Sequence, residues 1–133
     1  IPSSFFPKTG EVGTGVEGRN LISANGRDGV QVNGDAARVA VEGNLIGTAA
    51  DGRPVLGNAR AGISVWTPFN RVGGLPSGTG NFVGGNFDVG VVLVTEDAHD
   101  NVVQANTIFS NRSHGVQITV DAGNNRVARG GGF

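Results

Sequence analysis

The 133-residue sequence has no cysteine, five prolines and a single tryptophan, and only 16% of it is charged. Without thiols, neither a disulfide framework nor a thiolate metal site can form; the compartment stays open, because many secreted proteins also lack cysteine. Ten basic and eleven acidic residues give a net charge of −1, and neither sign forms a long run, so the electrostatic footprint of a nucleic-acid partner is missing. No stretch reaches the roughly 18 to 20 apolar residues that cross a bilayer, and no basic-then-apolar leader opens the chain. A soluble chain without membrane insertion is therefore expected, forming one domain over residues 1–133.

What is present is glycine, 24 residues of it, and a valine-rich apolar fraction of 38%. That much glycine weakens helices, yet β-branched pairs recur too regularly for a disordered chain. The recurrence is a repeat. A Gly-apolar-any-apolar tetrad occurs at Gly29, Gly62, Gly90 and Gly115, each a short strand with alternating faces. Four residues before each glycine stands an asparagine: Asn25, Asn58, Asn86 and Asn111. A second asparagine precedes the glycine by nine residues at Asn20, Asn81 and Asn106, and by eighteen at Asn44. The difference places a nine-residue loop at 48–56, which holds Asp51-Gly52 and Pro54. A shorter loop is expected at 74–79. A third strand follows each tetrad, around Val41, Val72, Val103 and Val127.

Three short strands per repeat, with nothing for one repeat to pack against, predict coils stacked at the sheet spacing of roughly 4.8 Å. Inward Val, Ile and Leu from tetrad positions one and three would fill a dry interior. Corner asparagines tolerate left-handed backbone and can satisfy one another from coil to coil, so Asn25, Asn58, Asn86 and Asn111, like the tetrad glycines, read as structural. The expected fold is all-β, a right-handed parallel β-helix of about four to five coils: an N-terminal cap over residues 1–12, repeat coils over 13–128 and a tail at 129–133.

The stretches RNLISANGRDGVQV, EGNLIGTAADGRPVLGNARAGISV and NRVGGLPSGTGNFVGGNFDVGV resemble the parallel β-helix repeats of bacterial exported and cell-surface proteins, over about residues 13 to 128. The resemblance implies the pectate-lyase-like superfamily fold. It also implies an extracellular or cell-surface location and company that includes pectate lyases, polygalacturonases, alginate epimerases, phage tailspikes, adhesins and autotransporter passengers. Fold does not fix activity, so the sites must be weighed one by one.

A lyase or hydrolase of this kind needs carboxylates on adjacent coils. The row two residues before the tetrad glycine reads Arg27, Arg60, Asp88, Ser113, and the next reads Asp28, Ala61, Val89, His114; neither repeats a carboxylate. Asp88 beside Arg60 reads as a surface ion pair. The densest polar cluster, Glu96, Asp97, His99 and Asp100, carries groups suited to calcium or acid–base work, but a solvated loop is the favoured reading. These five residues are the catalytic candidates, and no cofactor other than calcium is implied.

Outward positions on the tetrad sheet are Gln31, Ser64, Val92 and Gln117, followed by Asn33, Trp66, Val94 and Thr119. Trp66 among amides and hydroxyls suits a sugar-stacking surface, with Gln31, Ser64 and Gln117 as further ligand contacts. Trp66, Val92 and Val94 equally suit a dry protein contact, and a covering segment would remove both options. The expectation is a non-catalytic extracellular module with a structural, adhesive or saccharide-binding role, its partners polysaccharide and copies of itself or a longer solenoid. The alternative is a polysaccharide-processing enzyme or a fragment of one.

Overall fold

The computed structural model describes residues 8–13 and 18–129. Strand β1 (Lys8–Val12) precedes four coils of three strands each. The first coil is β2 (Leu21–Ile22), β3 (Val30–Val32) and β4 (Ala36–Val41); the second is β5 (Leu45–Ile46), β6 (Ile63–Val65) and β7 (Arg71–Val72). The third is β8 (Phe82–Gly84), β9 (Val91–Leu93) and β10 (Val102–Gln104), and the fourth is β11 (Thr107–Phe109), β12 (Val116–Ile118) and β13 (Arg126–Ala128). Every strand pairs in parallel with its equivalents one coil away, giving three walls: β1-β4-β7-β10-β13, β2-β5-β8-β11 and β3-β6-β9-β12. The chain is a parallel β-solenoid, and among the described residues no helix is long and apolar enough to cross a membrane.

The stack begins earlier than the tetrads suggest. Lys8–Val12 lies in the segment expected as a cap, but it pairs with β4, with Val12 beside Val41. Residues 1–7 of that cap and 130–133 of the expected tail lie outside the described residues.

The interior follows from alternation along each short strand. Ile22, Ile46, Val83 and Ile108 form one inward ladder. Val32, Val65, Leu93 and Ile118 form a second, and Val12, Val41, Val72, Val103 and Val127 a third. In the middle coils Ile46, Ile63, Val65, Val83, Val91 and Leu93 are fully buried, each worth about 1.5–3 kcal/mol relative to exposure. Burial fades toward the last coil, where Ile118 is 42% and Val127 48% exposed.

Asparagine closes the corners. The Oδ1 of Asn58 accepts the backbone N–H of Asn25 at 3.0 Å and its Nδ2–H at 2.8 Å. Asn86 does the same for Asn58, at 3.1 and 2.9 Å, and Asn111 for Asn86. An Nδ2 hydrogen of each goes to a strand carbonyl of the coil before: Ile22, Ile46 and Val83 in turn. Asn20, Asn44, Asn81 and Asn106 form a second such ladder. A third, Asn70, Asn101 and Asn125, runs where the sequence suggested only the start of a strand; Val39 takes its place in the first coil.

The asparagines themselves do not take the left-handed backbone expected of them. The residue before most of them does, at Ala24, Gly85 and Ser110, at Gly43 and Ala105, and at Phe69, Asp100 and Asn124, whereas Arg19 before Asn20 does not. The tight turn is thereby separated from the amide that seals it. Gly57 and Gly80 escape the left-handed conformation, and they are the positions where the two loops rejoin the coil. The first loop is closed by Ala49 N–H to Arg53 carbonyl at 2.8 Å and by an Asp51–Arg53 ion pair at 2.7 Å. The Arg53 N–H, and then its guanidinium, hold the Asp51 carboxyl below its ordinary value. The Leu56 carbonyl accepts from Ala24 N–H, and Pro54 lies against Gly85, so the loop follows the corner rather than leaving it.

Three of the four tetrad glycines, Gly29, Gly62 and Gly90, are required by space. A Cβ on Gly62 would meet Val83 Cγ1 at 2.6 Å and Asn86 Nδ2 at 2.8 Å, whereas one on Gly115 would meet only Ile108 at 3.5 Å. Gly62→Ala is therefore expected to destabilise by about 1–3 kcal/mol and Gly115→Ala by about 0.5 kcal/mol or less, read from urea-unfolding midpoints. Asn86→Ala strips the acceptor from two buried donors of Asn58. The same assay should show a loss of about 3 kcal/mol or more.

Candidate functional site

Pairing of β3, β6, β9 and β12 sets Gln31, Ser64, Val92 and Gln117 in one outward row, with Asn33, Trp66, Val94 and Thr119 just beyond. Trp66 leaves β6 with its N–H bound to the Val32 carbonyl of the coil before, at 2.8 Å. The residue is 38% exposed. Ser64, expected among the contact residues, is only 2% exposed. Its hydroxyl donates to Asp28 Oδ2 at 2.9 Å and accepts the Trp66 indole N–H at 3.3 Å. The other oxygen of Asp28 accepts the Ala61 N–H at 3.0 Å. Ser64 thus supports the ring from below, and Gln31 and Gln117 stay exposed on either side.

Trp66 separates two hollows. The larger, about 510 Å³, is lined by Gln31, Asn33, Trp66, Thr67, Pro68, Thr95 and Asp97. Amides, a hydroxyl and one carboxylate surround an aromatic face there, the mixture that fixes the orientation of a polyol. Thr67 is nearly buried and its hydroxyl accepts from Asn70 Nδ2, which leaves Thr95 as the accessible hydroxyl. The smaller hollow, about 250 Å³, runs back along the sheet past Ser64 and Val92 to Arg27, Arg60 and Asp88. Neither hollow is lined by the 48–56 loop. Val92 and Val94 are half-buried neighbours of the platform.

The ion pair expected between Asp88 and Arg60 does not form. Among the described residues the ion pairs are Arg53–Asp51, Arg71–Glu42 and His99–Asp100. On this wall Asp28 is the carboxylate engaged between the coils instead, bridging to Ala61 and Ser64.

Glu96, Asp97, His99 and Asp100 are close in sequence but diverge in space. Ala98 between them is buried, and its N–H turns back to the Thr95 carbonyl at 3.1 Å. Asp97 faces the Trp66 hollow. His99 and Asp100 face the next corner, Nδ1 to Oδ2 at 2.6 Å, where the Phe69 ring meets the imidazole edge-on at 5.4 Å and Arg38 covers Phe69. Among the described residues no group of three or more His, Cys, Asp or Glu side chains could hold a metal ion. Asp88 and His114 are exposed at other points of the wall.

No family model matches the chain, and none of the curated proteins or solved structures compared with it is a match. The resemblance to β-helix repeat proteins is met at the level of architecture: a parallel solenoid of about four turns.

Sequence reasoning missed Thr67, Pro68 and Thr95 at the rim of the hollow and Asp28 beneath the ring. The row that holds Asp28 repeats no carboxylate, and its partners, Ala61 and Ser64, sit on the next coil. The signal that could have found it is register: aligning Gly29 with Gly62 sets Asp28 beside Ala61. For the acidic corner, His99→Gln, Glu96→Gln and Asp100→Asn are each expected to change unfolding free energy by under about 1 kcal/mol, because the groups are solvated and the one ion pair is exposed. Urea titration of the three variants checks this.

Proposed function

We propose that this chain is a non-catalytic module, exported and carried outside a bacterial cell, that holds polysaccharide against the Trp66 face. The observation that carries the reading is the indole platform, propped from beneath and opening on a hollow of about 510 Å³ edged by Gln31, Asn33, Thr95 and Asp97. Pyranose rings present an apolar C–H face and a rim of hydroxyls, so a flat ring beside amides and a carboxylate complements both. The export and the bacterial source rest on the resemblance to pectate-lyase-like β-helix proteins.

Binding is favoured over catalysis because, of Asp88, Glu96, Asp97, His99 and Asp100, only Asp97 lines this hollow, and acid–base cleavage of a glycosidic bond needs a pair of carboxyl groups. Self-association is proposed through the same wall, Val92 and Val94 packing beside Trp66 against a second copy. Saccharide and second copy then compete for one surface.

Affinity electrophoresis and calorimetry against cellulose-, xylan-, chitin- and pectin-derived oligosaccharides test the reading, with Trp66→Ala alongside and with or without calcium. Saccharide binding that Trp66→Ala weakens by about tenfold or more supports it. New reducing or unsaturated ends would convert the module into an enzyme. Binding to none of the panel, with dimers in sedimentation that Trp66→Ala dissolves, would leave the wall as a protein interface only.

A further inference from the structure

The indole of Trp66 is held by a relay that begins one coil earlier. The Ser64 hydroxyl has one proton, and with the side chain 2% exposed no solvent competes for it. That proton goes to Asp28 Oδ2 at 2.9 Å, so the oxygen must turn a lone pair toward the ring, where it accepts the indole N–H at 3.3 Å. Asp28 is itself fixed by the Ala61 N–H at 3.0 Å. A carboxylate can only accept, so it sets the polarity of both bonds.

The other coils supply a comparison. Where Asp28 stands in the first coil, the later ones carry Ala61, Val89 and His114; where Ser64 stands in the second, the others carry Gln31, Val92 and Gln117. The relay exists only where the first coil meets the second, which is where the tryptophan is. Residues that served only to stack coils would recur, as the asparagines do.

We infer that Asp28 is a positioning residue for the Trp66 platform: acting through Ser64, it ties down the indole N–H and leaves only the ring face for a ligand. On the saccharide reading above, on which this part rests, the sugar is met through its C–H face, and its hydroxyls find Gln31, Asn33, Thr95 and Asp97 rather than the indole. The ligand class that fits is a pyranose with one unbroken face of axial C–H bonds, as in equatorially substituted hexoses.

The test reads the ring before it reads any ligand. Trp66 is the chain's one tryptophan and there is no tyrosine, so intrinsic fluorescence and the indole N–H resonance both report on it alone. Asp28→Ala, Asp28→Asn and Ser64→Ala are compared with the parent chain by indole N–H exchange, iodide quenching and thermal melting. Asp28→Ala and Ser64→Ala should raise exchange and quenching by about 2- to 5-fold, with Asp28→Asn intermediate because its one amide oxygen can keep only one of the two bonds. Ser64→Ala keeps the Asp28–Ala61 bond and so guards against simple loss of fold. Affinity for the oligosaccharide that binds the parent best should fall by about 3- to 10-fold in the same order, as a pre-set side chain is released.

Unchanged exchange and quenching in both alanine variants would overturn the inference, even if Trp66→Ala still abolished binding. A lowered melting point with an unmoved indole signal would also overturn it, making Asp28 a coil-stacking residue. A moved indole signal in a chain that binds no saccharide would support the relay and refute the saccharide reading.

Discussion

Every buried asparagine amide described in this solenoid except Asn70, whose Nδ2 turns to Thr67 of its own coil, has a donor and an acceptor on neighbouring coils, and the rest of the structure depends on that pairing. An unsatisfied buried amide costs about 1–3 kcal/mol. One whose Oδ1 takes two hydrogens from the coil before and whose Nδ2 hydrogens go to the next amide and to a carbonyl is fully used, as Asn58 and Asn86 are. The amide-to-amide bonds point one way along the stack, and the bonds to carbonyls point back. They fix the coil spacing independently of the sheets, and with it the register in which Ile46 meets Val83 and Val65 meets Leu93. Valine ladders alone would tolerate sliding, since one apolar side chain packs nearly as well as another. Amide ladders would not.

Fixing the corner from inside has a consequence for its outside. With the asparagine side chain pointing in, the chain must reverse at the residue before, and left-handed backbone falls on alanine, serine, aspartate and even phenylalanine. Such positions cost an L-residue about 1–3 kcal/mol each, which the surrounding ladders must offset. The two insertions enter at this point, just ahead of Asn58 and Asn81, and there the strained turn disappears. Corners are thus where extra residues are accommodated without disturbing a ladder, and each loop returns to the asparagine of its own corner, Asn58 in one ladder and Asn81 in the other.

The fold was legible because its determinants repeat. Gly29, Gly62, Gly90 and Gly115 share a spacing to their asparagines, so one alignment recovers strands, register, inward faces and both loops. Legibility ended where a determinant is not periodic. Lys8–Val12 lacks the tetrad and in sequence reads as a cap, although it extends one wall. The Asn70 ladder was half-visible, because the first coil puts Val39 in its place and breaks the series. Propensity assigns the left-handed backbone to the asparagines, whereas the true positions carry no common residue type. At the acidic corner, proximity in sequence misled: a buried Ala98 sends Asp97 toward one wall and His99 toward another.

The same logic explains why a site in a solenoid wall is hard to read and easy to build. A side chain on one coil is supported from the coil before and the coil after, 24 or more residues away, so the residues that make Trp66 a platform form no linear motif. Asp28 and Ser64 are 36 residues apart and 2.9 Å in contact. Yet once the ladders fix the pitch, the distance between any two outward positions is set, and three substitutions in register suffice to install a relay without altering the core beneath. What separates this wall from an inert one is a break in the repeat: where the other coils show amides, valines or a threonine, the second carries the aromatic ring and Ser64, with Asp28 beside them on the first. In a protein whose stability comes from sameness between coils, departures from sameness are where function has to be looked for.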